Sequence, residues 1–177
     1  PVYDEIARIP LMIAHPDYSE QGGTRRKALT QSTDIMPMLL DLHDKEIPRD
    51  VLGKSLLPLL EDDHAIRDAA IFGYFGAACN VTDGRYVYHR YPEKLTADGL
   101  YEYTLMPTRM TTRFSISELV DATLANPFDF SKGVPLLKLK PRANEAGEAI
   151  EVQGMDFADT QTRLYDLHND PGQTIPI

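Results

Sequence analysis

A single cysteine in 177 residues, Cys79, excludes an internal disulfide and any paired-cysteine metal knuckle. No apolar stretch approaches the roughly 20 residues that a membrane-spanning helix needs, so no membrane partner is expected. No signal peptide opens the chain; if it is a piece of a longer protein, that leaves the compartment open between cytoplasm and periplasm. Positive charge is scarce as well. The 18 Lys and Arg stand against 27 Asp and Glu, a formal net charge of -9, which argues against a nucleic-acid partner held through its phosphates. The one compact basic run, Arg25-Arg26-Lys27 after Gly22-Gly23, reads as a solvated loop.

What remains is ordinary globular material, 42% hydrophobic and 25% charged, enough for one domain or two small units. Near its start, "YDEIARIPLMIAHPD" carries Ile6, Ile9, Leu11, Met12 and Ile13 and stops at the turn signal His15-Pro16-Asp17. So continuous an apolar run predicts a strand buried on both faces. Such a strand needs neighbours that nothing before it supplies, so the chain is expected to be the tail of a longer protein. "YSEQGGTRRKALTQS" reads as a surface loop. In "STDIMPMLLDLHDKEIP" the period changes: Ser32, Thr33 or Asp34 caps a helix with Pro37 in its first turn, Ile35, Met38, Leu39 and Leu42 fall on one face, and the end comes near His43-Asp44. "VLGKSLLPLLEDD" predicts a short helical turn, because Pro58 would interrupt anything longer.

The charged segment from Glu61 to Arg67 marks a boundary between a 1–65 α/β portion and a 66–177 portion. In the latter, Ala78 to Thr82 is expected to pair antiparallel with Arg85 to Tyr91 across an Asp83-Gly84 turn. "LYEYTLMP" offers a third strand and "TRLYDLHNDPG" a fourth, while "SISELVDATLAN" reads as a helix capped at Ser115 or Ser117, with Glu118 in its first turn, and stopped by Asn126-Pro127. Lys138 to Gly154 reads as a loop. The fold class expected is α/β: the edge of an α/β sandwich followed by a small four-stranded antiparallel sheet with a packed helix.

Four motifs in order, "YDEIARIPLMI", "STDIMPMLLDL", "VLGKSLLPLL" and "RLYDLHNDPG", resemble the C-terminal part of sulfatases, members of the alkaline-phosphatase-like superfamily. The matching residues are Arg8 and Pro10 in Y-[DE]-x-x-x-R-[IV]-P, Asp34 and Pro37 in D-x-x-P, Gly53, Ser55 and Leu56 in G-x-S-L, and Tyr165, Asp166, Leu167, Asp170 and Pro171 in L-Y-D-L-x-x-D-P. The resemblance runs from Tyr3 to Gly172 and is weakest from Thr108 to Asp159. It implies a full-length parent that hydrolyses sulfate esters with a divalent metal, usually calcium, and a formylglycine made from the Cys or Ser of C/S-x-P-x-R. Neither part is found here. Cys79 is followed by Asn80-Val81-Thr82, and the resemblance places the metal-binding Asp-Asn or Asp-His pair and the sulfate-contacting lysine upstream. No catalytic residue, metal ligand or cofactor is therefore expected in this chain, and the piece alone is expected to be inactive.

The resemblance also makes Asn80, His89 and the Phe75-Gly76 loop candidates for the substrate rim, with His15 a further one at the end of the opening strand. "EDDH", Glu61 to His64, has metal-ligand residue types but reads as solvated boundary charge. "DLHND" would alternate Asp166, His168 and Asp170 on one strand face, although a turn explains it. Alternatives within the superfamily are a phosphodiesterase or phosphonate monoester hydrolase. Outside it stands a non-catalytic interaction module, and the unpaired opening strand makes a homo-oligomer the expected partner if the chain stands alone.

Overall fold

Backbone hydrogen bonding decides which of these elements form. The computed structural model describes residues 3–74, 78–91, 100–106, 108–109, 111–142 and 161–177. Contacts divide the chain into one unit of Pro1–Gly73, Ala78–Tyr91 and Thr160–Ile177 and a second of Tyr74–Ala77 and Pro92–Asp159. The 66–177 portion contributes to both.

The described helices are α1 (Asp4–Ala7), α2 (Ile35–Leu42), α3 (Leu57–Glu61) and α4 (Ile116–Leu119). The strands are β1 (Ala70–Gly73), β2 (Cys79–Thr82), β3 (Tyr86–His89), β4 (Glu102–Thr104), β5 (Thr123–Ala125), β6 (Leu136–Leu139) and β7 (Arg163–Asp166). The opening strand is the first correction. Asp4–Ala7 is a single helical turn, and residues 8–14 have no regular structure. A strand exists only by exchanging hydrogen bonds with a neighbour, and no described strand pairs with this segment. Ile9, Leu11 and Met12 stay at the surface, Met12 90% exposed, and Ile13 is half-buried.

α2 forms where the 3.6-residue period places it. Asp34 closes a one-turn 3-10 helix and hands directly into α2. Pro37, in the first turn, forfeits no hydrogen bond that the helix would otherwise make. The apolar face is only partly used: Met38 is buried, whereas Ile35 and Leu39 are exposed. α3 tolerates Pro58 in the same way, near its start, and buries Leu59 beside Leu56.

The first unit is held by a carboxylate with no solvent exposure. Asp34 accepts hydrogen bonds from the backbone N–H of Gln31 (2.7 Å) and of Lys54 (2.9 Å) and pairs with the Arg67 guanidinium. Gln31 in turn accepts from Arg67 at 2.6 Å through Oε1 and donates to the Ile71 carbonyl of β1 at 3.1 Å. Gly53 lets the Lys54 segment approach, since a Cβ there would lie 2.0 Å from the Thr33 carbonyl oxygen.

Four strands make one antiparallel sheet in the order β1-β2-β3-β7. The expected hairpin is present, with Val81 opposite Tyr88 and Thr82 opposite Val87. Asp83 accepts from the N–H groups of Arg85 and Tyr86 (2.9 and 2.6 Å), and Gly84 takes the left-handed φ of 94° that closes the turn. β7 pairs with β3, so "TRLYDLHNDPG" supplies a strand as expected.

The second unit corrects three expectations. "LYEYTLMP" gives β4, but it joins a separate three-stranded sheet of order β4-β6-β5. The helix expected over "SISELVDATLAN" is only α4, and Thr123–Ala125 is β5, because pairing with Leu136–Lys138 satisfies its backbone. Lys138 and Leu139 end β6 rather than beginning a loop; residues 143–154 of that expected loop lie outside the described residues. Arg109 joins the pieces, donating to Glu102 of β4 (2.9 Å) and Glu118 of α4 (2.7 Å), while Ser115 and Glu118 form a capping box.

Two substitutions test the Asp34 assembly by thermal or urea unfolding. Arg67→Met, which strands a buried carboxylate, is expected to cost about 3–5 kcal/mol. Gly53→Ala drives a Cβ into backbone that no rotamer can relieve, and is expected to cost at least about 2 kcal/mol. A loss below half of either figure would show that the segments are held elsewhere.

Candidate functional site

β3 alternates its side chains, and this sends Val87 and His89 into the same face of the sheet. His89 is 1% exposed and boxed by aromatic rings: Tyr165 at 5.5 Å, Tyr3 at 5.9 Å, Phe72 at 6.2 Å, all edge-on, and Tyr91 stacked at 6.4 Å. Its polar partner is Gln173, also buried, whose backbone is left-handed (φ 51°). Gln173 Oε1 accepts from the Asp4 N–H at 2.6 Å, so its Nε2 faces His89 Nε2 at 3.1 Å as a donor. That fixes the neutral tautomer, with the proton on Nδ1. Burial is the main cause that pushes the His89 pKa down, with Arg163 adding to it. Asn80, fully buried on β2, accepts from the Arg90 N–H at 3.2 Å. Among the described residues, neither His89 Nδ1 nor Asn80 Nδ2 meets a hydrogen-bond partner.

The sequence candidates are thus dispersed. Asn80 and His89 sit together inside the first unit, whereas His15 lies at the surface, where its Nδ1 accepts the Asp17 N–H at 3.3 Å and its ring lies 5.7 Å from Tyr18. Phe75 and Gly76 lie outside the described residues. Arg8 pairs with Asp4 at 3.2 Å on the surface and Pro10 is exposed, while Pro37 is buried and Ser55 Oγ accepts the Leu57 N–H at 3.3 Å ahead of α3.

The "LYDLHNDP" motif ends a strand and shapes the turn after it. β7 stops at Asp166, so the alternation imagined for Asp166, His168 and Asp170 does not continue. The Asp166 carboxylate accepts from Arg85 (2.9 and 3.2 Å), from the His168 N–H (3.0 Å) and from Asn169 (2.8 Å). The Arg85 contact leads in holding its pKa down at about 2. Asp170 accepts from Thr174 Oγ1 (3.0 Å) and the Ile175 N–H (2.8 Å), the latter being the main cause of its lowered pKa, and Pro171 follows it into the turn.

"EDDH" is likewise committed to the backbone: Asp63 accepts from the Lys27 and Ala28 N–H groups at 2.9 Å. Arg26, read as part of a solvated loop, instead donates to the Leu59, Leu60 and Glu61 carbonyls (2.8, 3.1 and 3.3 Å) and caps the C-terminal end of α3. Among the described residues no group of three or more His, Cys, Asp or Glu side chains is placed to hold a metal ion, and the exposed Cys79 is a free thiol. The described residues do not fit a calcium site. Sequence reasoning missed Arg26, Gln31, Arg67 and Gln173, whose partners stand 33 to 169 positions away, with no local pattern to announce them.

The Asp34-centred turn, the four-stranded antiparallel sheet and the closing "LYDLHNDP" turn are built from the motifs that resemble the C-terminal part of sulfatases. Residues 1–114 match the family described as N-sulphoglucosamine sulphohydrolase, C-terminal, and the chain belongs to that family. It is 35% identical over 78 residues, 42% of this chain, to an N-acetylglucosamine-6-O-sulfatase of Bacteroides thetaiotaomicron. Over 71 residues, 39% of this chain, it is 34% identical to an ulvan-active sulfatase of Formosa agariphila. The match spans only 14% of the length of each of these relatives.

Acid should loosen the chain in two stages. His89 has a lowered folded pKa, so the unfolded state binds the proton first. Its contribution is full above the ordinary histidine value of about 6.5 and is lost as pH falls through that value toward the lowered one. Asp166 and Glu118, each held at about 2, contribute fully above the ordinary carboxylate range and are lost as pH falls from there toward about 2. Melting temperature followed from pH 8 to 2 should therefore fall in two steps. His89→Gln should remove the upper step alone, and a single acid transition in the unsubstituted chain would refute the assignment.

Proposed function

We infer that this chain is the C-terminal portion of a sulfuric ester hydrolase that acts on carbohydrate sulfates. The observation that carries this is the family match over residues 1–114, together with two relatives, one named an N-acetylglucosamine-6-O-sulfatase and the other an ulvan-active sulfatase. The surface of the first unit supports it: Ile9, Leu11, Met12, Ile35, Met36 and Leu39 are exposed, and apolar side chains in such number are what a larger α/β domain would cover. In this reading the nucleophile, formylglycine in this family, and the divalent metal, calcium, belong to the rest of the parent.

The chain's own part is to hold position. Asp34 and Arg67 lock the helix start to the strand that follows, and His15, the described candidate that lies at the surface, is assigned to the substrate side. Asn80 and His89 hold the sheet from within.

The test is hydrolysis by the full-length protein. N-acetylglucosamine 6-sulfate should be cleaved in a calcium-dependent reaction at a kcat/KM at least about tenfold above that for 4-nitrophenyl phosphodiesters or phosphonate monoesters. The 177-residue chain alone should release no sulfate under the same conditions. Preference for phosphorus esters would move the parent to the alternative branch of the superfamily, and sulfate release by the chain alone would refute its assignment as a portion without catalysis. The isolated chain is also expected to self-associate through its exposed apolar segment, so a monodisperse monomer by light scattering would count against the covering domain.

A further inference from the structure

One side-chain amide joins the two ends of the first unit. Gln173 follows the Asp170-Pro171-Gly172 turn, its N–H donates to the Asp170 carbonyl at 3.0 Å, and its backbone is left-handed (φ 51°). The Asp170 carboxylate fixes the residues beyond it, accepting from Thr174 Oγ1 and the Ile175 N–H. Held in this way, the buried Gln173 side chain turns Oε1 to the Asp4 N–H at 2.6 Å and Nε2 to His89 Nε2 at 3.1 Å. Asp4 opens α1, and the Tyr3 side chain provides no cap, so Gln173 satisfies this N–H from 169 positions away.

The two ends of an amide are not interchangeable. A backbone N–H can only donate, so Asp4 requires Oε1, and Nε2, a donor, is left for His89. Neutral His89 meets it with the lone pair on Nε2. The imidazolium carries a proton on both nitrogens, so protonation sets two donors against each other at 3.1 Å. Rotating the amide by half a turn gives His89 its acceptor and leaves Asp4 facing Nε2; one bond is lost in either orientation. The bond from the cation is the stronger and is buried, whereas the Asp4 bond is only part-buried, so the Asp4 bond gives way.

The groups packed around His89 provide no counter-charge. From β7, Arg163 stands opposite it and repels a positive ring, as does the amine that begins this chain. Tyr3, Tyr91, Tyr165 and Phe72 of β1 bring aromatic rings, and Asn80 of β2 brings an amide whose Oδ1 already accepts the Arg90 N–H. The Asp4 carboxylate is paired with Arg8 at 3.2 Å, and that of Asp170 is taken up by Thr174 and Ile175.

We propose that the Gln173 amide is a pH-sensitive latch, which ties α1 to the sheet while His89 is neutral and releases the Asp4 N–H when His89 takes up a proton. α1 leads into the exposed apolar segment of Ile9, Leu11 and Met12, so the latch sets how firmly the start of that segment is held. It is independent of which ester the parent hydrolyses.

Amide hydrogen exchange and imidazole nitrogen shifts, followed by NMR on the 177-residue chain from pH 8 to pH 4, test the latch. At pH 8 the shifts should show a neutral His89 with its proton on Nδ1. As pH falls below about 6.5 and His89 titrates, the protection factor of the Asp4 N–H should drop about tenfold with the same midpoint. The Lys54 N–H, bound to Asp34 in the same unit, should keep its protection. His89→Gln supplies an acceptor at every pH and should make Asp4 protection independent of pH. Gln173→Glu, whose carboxylate accepts from both donors, should keep Asp4 protected while His89 is charged. A proton on Nε2 at pH 8 overturns the proposal, and so does titration of His89 with no change at Asp4. Loss of protection at Asp4 and Lys54 together is general unfolding and overturns it, as does a His89 that stays neutral until the chain unfolds. These four outcomes are read on the unsubstituted chain, so a variant that fails to fold leaves the decision intact.

Discussion

A buried charge has to be satisfied completely, and the first unit is organised around one. The Asp34 carboxylate has lost all contact with water, and it recovers its solvation from two backbone N–H groups and one guanidinium. Each donor comes from a different stretch: the residue that precedes the first turn, the segment after Gly53, and the approach to β1. The desolvation cost of the carboxylate falls on the whole fold unless all three stretches are present together. Gly53 belongs to the same constraint, because Lys54 reaches Asp34 only if the backbone at Gly53 lies against Thr33. Two of the sulfatase-like motifs, D-x-x-P and G-x-S-L, are thereby the two halves of one contact.

The same economy recurs at smaller scale. Asp166 gathers Arg85, the His168 N–H and Asn169, fastening the β2–β3 hairpin to the end of β7. Gln173 spans from the Asp4 N–H to His89 and so ties the first helical turn to the aromatic interior. Arg109 does this in the second unit, with Glu102 and Glu118 on either side. Most of the conspicuous polar residues are therefore fasteners. This accounts for why metal-ligand residue types in "EDDH" and "DLHND" gather no metal site: their carboxylates are already occupied by backbone and side-chain donors.

The described residues of the two units expose apolar surface of two kinds. The first unit presents exposed aliphatic side chains and the second an exposed row of rings beside a lysine. Aliphatic side chains offer area without direction, which suits permanent burial against another layer. Aromatic rings with a nearby cation offer area with orientation.

Local periodicity and turn chemistry were legible without coordinates. The 3.6-residue spacing after Asp34, the proline in the first turn of α2, the Asp83-Gly84 hairpin and the Ser115 cap depend on residues within a few positions of one another, and each is where the sequence puts it. The motifs that mark the family were equally legible, because they are short and ordered. Pairing was not. The apolar opening run reads as a strand by pattern alone, but a strand is defined by its neighbour, and among the described strands none pairs with it. "TLA" reads as the end of a helix until Leu136–Lys138 offers it hydrogen bonds, and "LYEYTLMP" shows no sign of which sheet it will join. The Lys54 and Arg67 partners of Asp34, the Gln173 partner of His89 and the Leu59 partner of Arg26 likewise stand 20, 33, 84 and 33 positions away. The sequence by itself determined the local elements and the family; only the tertiary structure decided which polar groups meet, because desolvation is settled by what surrounds a group in space rather than by what adjoins it in the chain.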